Sequence, residues 1–221
     1  DFDGTDLSGG SERQADVRLA SGATTTFAGG TLQIIGTGVT PTTINNQGAG
    51  TYAISITGGT LNAQNYQFRT TNSDGLNLSG APTFTSLDNG DFELAVNGGS
   101  MITVASTTID QNASKVITGV AFATSTGISS GYNVSRVGTS TNSWTFAAHS
   151  GNYDGEAFDF DGASLCGQIR WSDSTCLFVS QSHYRWRNDD GGEAVPSSEW
   201  FDGDWDKRQR IRLTEQSGSS L

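Results

Sequence analysis

The chain has 221 residues, of which 23 are acidic and 12 are basic, and its net charge is −11. Nucleic-acid phosphates favour a basic surface, so this charge argues against a nucleic-acid partner. Only 16% of the residues are charged, Ser and Thr supply the polarity instead, and there are 29 Gly, a composition typical of a β-rich extracellular protein. The sequence has no run of about 18 apolar residues, so no membrane span is predicted.

The chain opens with DFDGTD, whose carboxylates at Asp1, Asp3 and Asp6 are oxygen donors of the kind that calcium prefers. A second acidic motif, DFDG, contains Asp159 and Asp161. Neither motif completes an EF-hand loop, because no Glu stands at the last ligand position. Asp-rich turns explain both motifs equally well, so calcium stays a candidate ligand and no other cofactor is predicted.

A glycine-centred repeat runs through the first two thirds of the chain. TTFAGGTL, ISITGGTL and LAVNGGSM each lead from alternating residues into Gly-Gly, then Thr or Ser, then Leu or Met. LNLSGAP and KVITGVAF are weaker copies of the same pattern. The first glycines of the five copies are unevenly spaced along the chain, at Gly29, Gly58, Gly80, Gly98 and Gly119.

An irregular period of about twenty residues, with short alternating strands and glycine corners, predicts a parallel β-helix, or β-solenoid, of roughly six coils. No coil can bury its apolar face alone, so the coils are expected to stack about 4.8 Å apart. The residues expected to form columns through the core are Ile54 and Ile56, Leu76 and Leu78, and Leu94 and Val96. The alternative is a β-sandwich, which also has short strands and frequent turns.

The last third of the chain differs in composition, since no Trp precedes Trp144. We therefore predict a solenoid body at 1–150 and an aromatic, charged segment at 151–221. Cys166 and Cys176 are close together in the sequence and are predicted to form a disulfide that closes a hairpin in a secreted protein. A zinc site is not predicted, because two Cys and two distant His match no zinc-binding spacing.

The final strand pattern, KRQRIRL, places three Arg side chains on one face and two apolar side chains on the other. An open solenoid end exposes unpaired backbone groups and invites a further strand. We therefore expect a C-terminal antiparallel strand segment that caps the solenoid or couples it to a partner. The candidate interface residues are Tyr184, Arg185, Trp186, Arg187, Trp200, Trp205, Arg208, Arg210, Ile211, Arg212 and Leu213. Candidate acidic partners for the Arg face are Asp154, Glu156, Asp159 and Asp161, in this chain or in a neighbouring one.

The segment FVSQSHYRWRNDDGGEAVPSSEWFDGDWDKRQRIRL resembles part of large multi-domain bacterial surface proteins. In those proteins a Tyr-Arg-Trp-Arg-Asn-Asp-Asp-Gly-type motif precedes an uncharacterised module that opens with Trp, a few residues, Lys-Arg and a strand. The resemblance implies that Trp205, Lys207, Arg208 and Ile211 begin such a module, which this chain enters without completing. GISSGYNVS and NYDGEAFD resemble the solenoid region that such proteins carry. The family implies no activity for the residues of this chain.

Glycoside hydrolysis is the enzymatic chemistry that a solenoid most readily suggests. It needs two carboxylates about 5 Å apart for retention, or about 6.5–9.5 Å apart for inversion. The candidates within the coils are Asp88, Asp91 and Glu93 in LDNGDFEL. A lyase would need an Arg or Lys base beside a calcium cluster, and the basic residues of the coils are few and scattered. No catalytic residue is therefore predicted.

The sequence favours a non-enzymatic structural protein that is extracellular or on the cell surface. It is expected to be a fibre or filament subunit that couples through its C-terminal segment to further copies of itself or to a neighbouring surface module. The alternative is a β-helix that binds or cleaves carbohydrate, with exposed Trp and Tyr side chains stacked on sugar rings. Burial of Trp171, Trp186, Trp200 and Trp205 would argue against that alternative.

Overall fold

The structure is a computed structural model that describes residues 2–3, 15–162 and 167–174. In order, its elements are β1 (Phe2–Asp3), β2 (Asp16–Ala20), β3 (Thr24–Phe27), β4 (Thr31–Ile35), β5 (Thr42–Gln47), β6 (Tyr52–Ile56), β7 (Thr60–Phe68), β8 (Thr71–Leu78), β9 (Thr83–Leu94), β10 (Gly99–Ala105), α1 (Ser106–Gln111), β11 (Val116–Thr118), β12 (Ala121–Thr124), β13 (Gly131–Val137), β14 (Trp144–Ala147), a 3-10 helix (Glu156–Phe158) and β15 (Ile169–Trp171).

The strands form a β-solenoid of about six turns, in which almost every pairing is parallel. One sheet contains β1, β2, β4, β5, β7, β9 and β12, a second contains β3, β6, β8, β10 and β13, and a third contains β11, β14 and β15. Among the described strands, the exception is a single antiparallel contact between Gly75 in β8 and Ile102 in β10. The predicted β-solenoid is confirmed and the β-sandwich is wrong, while the predicted C-terminal antiparallel segment lies outside the described residues.

The first two copies of the glycine repeat stack one coil apart in register. Phe27 pairs with Ile56 across β3 and β6, and Leu32 pairs with Leu61 across β4 and β7. The next copy along the chain, LNLSGAP, continues this column, because Leu78 pairs with Ile56 across β8 and β6. The sequence repeat therefore follows the coil repeat over the first three copies.

The later copies fall at other corners, which corrects the predicted columns. Leu94 lies in β9 and pairs with Thr124 of β12, in a different sheet from Ile56. Val96 follows the end of β9 and is half-buried rather than in the core. Gly-rich turns occur at more than one corner of the coil, so Gly98 does not mark the same position as Gly58.

Glycine is required at the repeated corner for two reasons. Gly30 and Gly59 both have positive φ, at 76° and 77°, a conformation that side chains with a Cβ rarely adopt. In addition, a Cβ on Gly59 would lie 2.5 Å from the carbonyl oxygen of Gly30 in the adjacent coil. The Gly-Gly pair therefore permits both the bend and the close stacking of successive coils.

Apolar side chains fill the space between the sheets in columns that run along the solenoid. One column places Phe68, Phe92 and Phe122 in register, with ring centroids 5.5 and 5.9 Å apart and nearly parallel planes. Phe122 then contacts Phe146 and Trp171 edge-on, so the column continues into the last described coil. Parallel pairing thus extends beyond residue 150, and the predicted division at that residue stays a prediction.

Candidate functional site

Most of the residues predicted to form a site lie outside the described residues. These are Asp1, Asp6, both cysteines (Cys166 and Cys176), and the interface set Tyr184, Arg185, Trp186, Arg187, Trp200, Trp205, Arg208, Arg210, Ile211, Arg212 and Leu213. Asp3 is described only as a backbone position in β1. Asp159 and Asp161 are described, and the structure brings both of them to the strand that carries Trp171, in the last described coil.

Trp171 is the centre of a cluster of side chains in the last described coil, which also contains Phe146, Asp159 and His149. The register of β14 and β15 places it opposite Phe146, and the two rings stack with centroids 4.9 Å apart. The Trp171 side chain is fully buried, and its Nε1–H donates to Oδ2 of Asp159 at 2.8 Å. A buried indole N–H generally requires such an acceptor, which explains why a carboxylate lies beside the aromatic core.

Asp159 has an unusual electrostatic environment. Burial raises the pKa of its carboxyl to about 7, the hydrogen bond from Trp171 opposes that rise, and the nearby carboxylates of Asp161 and Glu156 add to it. Because the folded-state pKa is close to neutral, Asp159 changes its charge in the neutral pH range. Its ionisation therefore bears on the stability of the last described coil.

Asp161 is buried, and it accepts hydrogen bonds from a strand on either side of it in the sequence. Its Oδ2 accepts a hydrogen bond from the Ile169 N–H at 2.9 Å, and its main-chain oxygen accepts one from Nε of Arg136 at 3.0 Å. A Cβ on Gly167 would overlap the Asp161 carboxylate, so glycine provides the room for it. Asp161 thus links the last two described coils through its carboxylate and its main-chain oxygen.

These contacts bear on the predicted calcium site. Asp159 and Asp161 each direct Oδ2 to a protein donor, Trp171 or Ile169. Within 2–3, 15–162 and 167–174, no group of three or more His, Cys, Asp or Glu side chains is arranged to hold a metal ion. Calcium binding stays a prediction.

His149 is a member of the cluster that sequence reasoning missed. Its Nδ1 lies 2.9 Å from Oδ2 of Asp154 and its Nε2 lies 3.1 Å from Oδ1 of Asp173. The ring packs edge-on against Trp171 at 4.9 Å. A usable signal was the separation of His149 from Asp173 along the chain, which is close to that of the stacked pair Phe146 and Trp171.

A second polar feature, the outer ladder, runs along the solvent face of the first sheet. Thr43, Gln67 and Asp91 are register partners on β5, β7 and β9. The Thr43 hydroxyl donates to Oε1 of Gln67 at 3.1 Å, and Nε2 of Gln67 donates to Oδ2 of Asp91 at 3.3 Å. Each hydrogen bond joins one coil to the next.

Arg69 extends the ladder. Its two terminal nitrogens bind both carboxylate oxygens of Asp91, at 3.0 and 2.5 Å, and Nη1 also lies 3.5 Å from Glu93. Glu93 in turn accepts a hydrogen bond from the Ser125 hydroxyl, one coil further on. Arg69 and Asp91 are separated by the same length of chain as Gly58 and Gly80, so the repeat could have revealed this pair.

The third hydrolysis candidate, Asp88, also has protein partners. Its Oδ1 accepts from the Thr118 N–H at 2.8 Å and its Oδ2 accepts from the Ser86 hydroxyl at 2.6 Å. Asp88, Asp91 and Glu93 are therefore each bonded across adjacent coils. This arrangement connects the coils, and it leaves these carboxylates engaged with protein donors.

The chain matches no protein-family model, and no curated protein or solved structure shows significant similarity to it. Among the described residues, no helix has the length and apolar character needed to cross a membrane. The function must therefore be inferred from the residues and their geometry.

Proposed function

We propose that this protein is a non-enzymatic structural component of an extracellular or cell-surface filament. The observation that carries the proposal is the outer ladder, in which buried and partly exposed polar side chains bind those of neighbouring coils. Thr43, Gln67, Asp91, Glu93 and Ser125 connect four successive layers in this way. Side chains bonded along the solenoid axis stiffen a rod, which is the mechanical property that a filament subunit needs.

The interior supports the same role. Continuous columns pass through the coils, and the ring stack of Phe68, Phe92 and Phe122 lies directly beneath the ladder strands β7, β9 and β12. Because each layer buries its apolar face only against its neighbours, local opening of one layer exposes two others. A rod of this kind is expected to unfold cooperatively rather than one coil at a time.

Coupling is proposed for the C-terminal strand sequence at 207–213, with the disulfide between Cys166 and Cys176 as a stabilising element. Adding a strand to a solenoid edge would satisfy its backbone groups and bury Ile211 and Leu213. The opposite Arg face would set the register, since like charges placed together penalise wrong pairings. The partner is a second copy of the chain or a neighbouring bacterial surface module.

The test is deletion of residues 207–221, compared with the full-length chain carrying Arg208→Gln, Arg210→Gln and Arg212→Gln together. Both variants are expected to keep the circular dichroism of a β-protein, and the deletion is expected to lose assembly in negative-stain images and sedimentation velocity. The triple Gln variant should lose it only in part, because its apolar face remains. Assembly unchanged by the deletion, or a wild-type protein that stays monomeric at every concentration and salt, would refute the coupling.

One observation favours carbohydrate binding as a second function. Phe160 is 54% exposed, and its ring lies 4.9 Å from that of Tyr132, which forms an aromatic surface on which a sugar ring could stack. Burial of Trp171 removes that indole from the same role. The test is retention of the protein on insoluble polysaccharides, which Phe160→Ala should abolish and Val116→Ala, at another exposed apolar side chain, should not.

A further inference from the structure

His149 joins two parts of the last described coil from the inside. Asp154 precedes the 3-10 helix, and Asp173 lies in the turn after β15, yet both carboxylates reach the same imidazole ring. The His149 side chain is only 5% exposed, whereas that of Asp154 is 30% exposed and that of Asp173 is 70% exposed. The ring therefore has little contact with water that could replace either carboxylate.

The two contacts have a chemical requirement. A carboxylate only accepts hydrogen bonds, and a neutral imidazole carries a single N–H. Only the doubly protonated imidazolium can donate to Asp154 and Asp173 at once. In the neutral ring one nitrogen would turn its lone pair towards a carboxylate oxygen about 3 Å away, so that contact must open. The number of contacts therefore depends on whether the ring carries one proton or two.

Among the described residues, the ion pairs of Asp154 and Asp173 are both with His149. Other charged groups near the same indole have their own contacts. Asp159 accepts the Trp171 N–H and is affected electrostatically by Asp161 and Glu156. Arg136 from β13 binds the Asp161 main-chain oxygen, and Arg170 binds the Gly167 carbonyl.

We propose that His149 is a protonation-dependent clasp that fixes the turn after β15 to the loop containing Asp154. When the ring is protonated, both carboxylates are bound and the turn is held. When the ring loses a proton, Asp173 is released first because it is the more exposed partner. The end of the last described coil is thus held when the ring carries two protons and released when it carries one. This inference does not depend on the proposed filament role.

The experiment uses the full-length chain labelled with ¹⁵N and followed by NMR from pH 5.5 to 8.5. The ring nitrogens of His149 report directly whether one or two protons are bound, and His183→Gln removes the signals of the other histidine. The Ser172 N–H, which donates to the Phe146 carbonyl at 2.9 Å, reports the turn through its hydrogen exchange. The Thr145 N–H, bonded to the Lys115 carbonyl at 2.9 Å in the preceding layer, is the internal control.

The expected result is a ring with two N–H groups at low pH and one at high pH. After correction for the intrinsic exchange rate, hydrogen exchange at the Ser172 N–H should become about tenfold faster between the two protonation states. A tenfold change corresponds to one pKa unit. Exchange at the Thr145 N–H should stay constant. His149→Gln should reduce the acceleration to the part that the ionisation of Asp159 contributes in the same coil, and His183→Gln should keep it in full. Asp173→Asn, at an exposed position that does not threaten folding, should move the transition to lower pH because the imidazolium loses one anionic partner.

Two results would overturn the clasp. The first is a His149 ring that carries a single proton throughout the range. The second is a pH dependence at Ser172 that is the same in Asp173→Asn as in the wild type, which would place its origin elsewhere. If His149→Gln does not fold, the Asp173→Asn titration and the ring signals still decide between the two outcomes.

Discussion

The coils from β2 to β10 and the coils from β11 to β15 share parallel pairing but differ in what they bury. In the first region, aliphatic, Phe and Tyr side chains fill the core and charged groups stay on the outside, where Arg69 and Asp91 meet. In the second region, Trp144 and Trp171 enter the core, and charged groups follow them inside, with Asp161 almost completely buried.

The difference shows how large aromatic side chains change the requirements of a layer. An indole carries an N–H that must be satisfied when buried, so Trp144 donates to the Asn112 carbonyl and Trp171 donates to Asp159. A backbone acceptor adds no charge, whereas a carboxylate brings its ionisation into the layer. The first region is therefore expected to be insensitive to pH, and the last described coil sensitive to it.

A charge placed in the core of the coils from β2 to β10 should have the largest effect on stability. Ile56 is fully buried between Phe27 and Leu78, so Ile56→Asp places an unpaired carboxylate in an apolar column. We expect a loss of more than about 3 kcal/mol in the free energy of unfolding, measured with urea. Val96→Asp is the control, with a loss of about 1 kcal/mol, because Val96 lies half-buried outside the column. Equal losses would show that the column is assigned wrongly.

A side chain added where the last described coils pack closely should have the next largest effect on stability. Gly151 has φ of 117°, and a Cβ there would overlap the Phe122 carbonyl oxygen of the adjacent layer. Gly127 also has positive φ, at 85°, but no atom lies within 4 Å of its Cβ position. Gly127→Ala is expected to cost about 1 kcal/mol for backbone strain alone, and Gly151→Ala about 2–3 kcal/mol because the layers must separate. Thermal unfolding of the pair measures the difference, and similar costs would mean that the layers separate easily at Gly151.

The early coils were largely predictable from the sequence. Alternation of apolar residues indicated the strand faces, and the glycine pairs marked the corner where Gly59 approaches Gly30. The prediction became wrong after Gly80, because Gly98 occupies a different corner and follows Gly80 by less than a full coil. Asp91 pairs with Ala121 across one long coil. That coil contains the helix α1 and a loop, neither of which the glycine repeat reveals.

The candidate sites were predictable to different degrees. Arg69 and Asp91 lie one regular coil apart, so an alignment of the repeat could have paired them. The cluster around Trp171 depends on irregular turns, and Asp154 reaches His149 from nearby in the same loop. Contacts made by such turns follow from tertiary packing, which neither strand alternation nor glycine spacing encodes. The coupling residues and the disulfide stay predictions.

The pH dependence of stability should separate the two regions further. Burial raises the pKa of Asp159 to about 7, above the value of about 3.9 for an unfolded Asp. The folded state therefore binds the proton more tightly, so the stabilisation is complete below pH 4 and is lost as the pH rises through 7. Asp159→Asn, which keeps an acceptor for Trp171, should reduce the decline in melting temperature between pH 4 and 8. Asp74→Asn, at an exposed position in β8, should leave it unchanged, and a decline as steep in Asp159→Asn as in wild type would contradict the assignment.

Substitutions in the outer ladder should give the smallest change in stability, because the Arg69 and Asp91 side chains are partly solvated. Arg69→Met keeps the length of the side chain and removes both bonds to Asp91, with an expected loss of about 1 kcal/mol in the free energy of unfolding. Arg18→Met removes an ion pair to Asp16 within a single exposed strand, so its loss should be close to zero. A double-mutant cycle of Arg69→Met with Asp91→Asn isolates the bond between coils, and it should give a coupling of about 0.5–1 kcal/mol. A coupling of zero would mean that the core alone holds the solenoid together, and the case for a stiffened rod would then rest on the aromatic column.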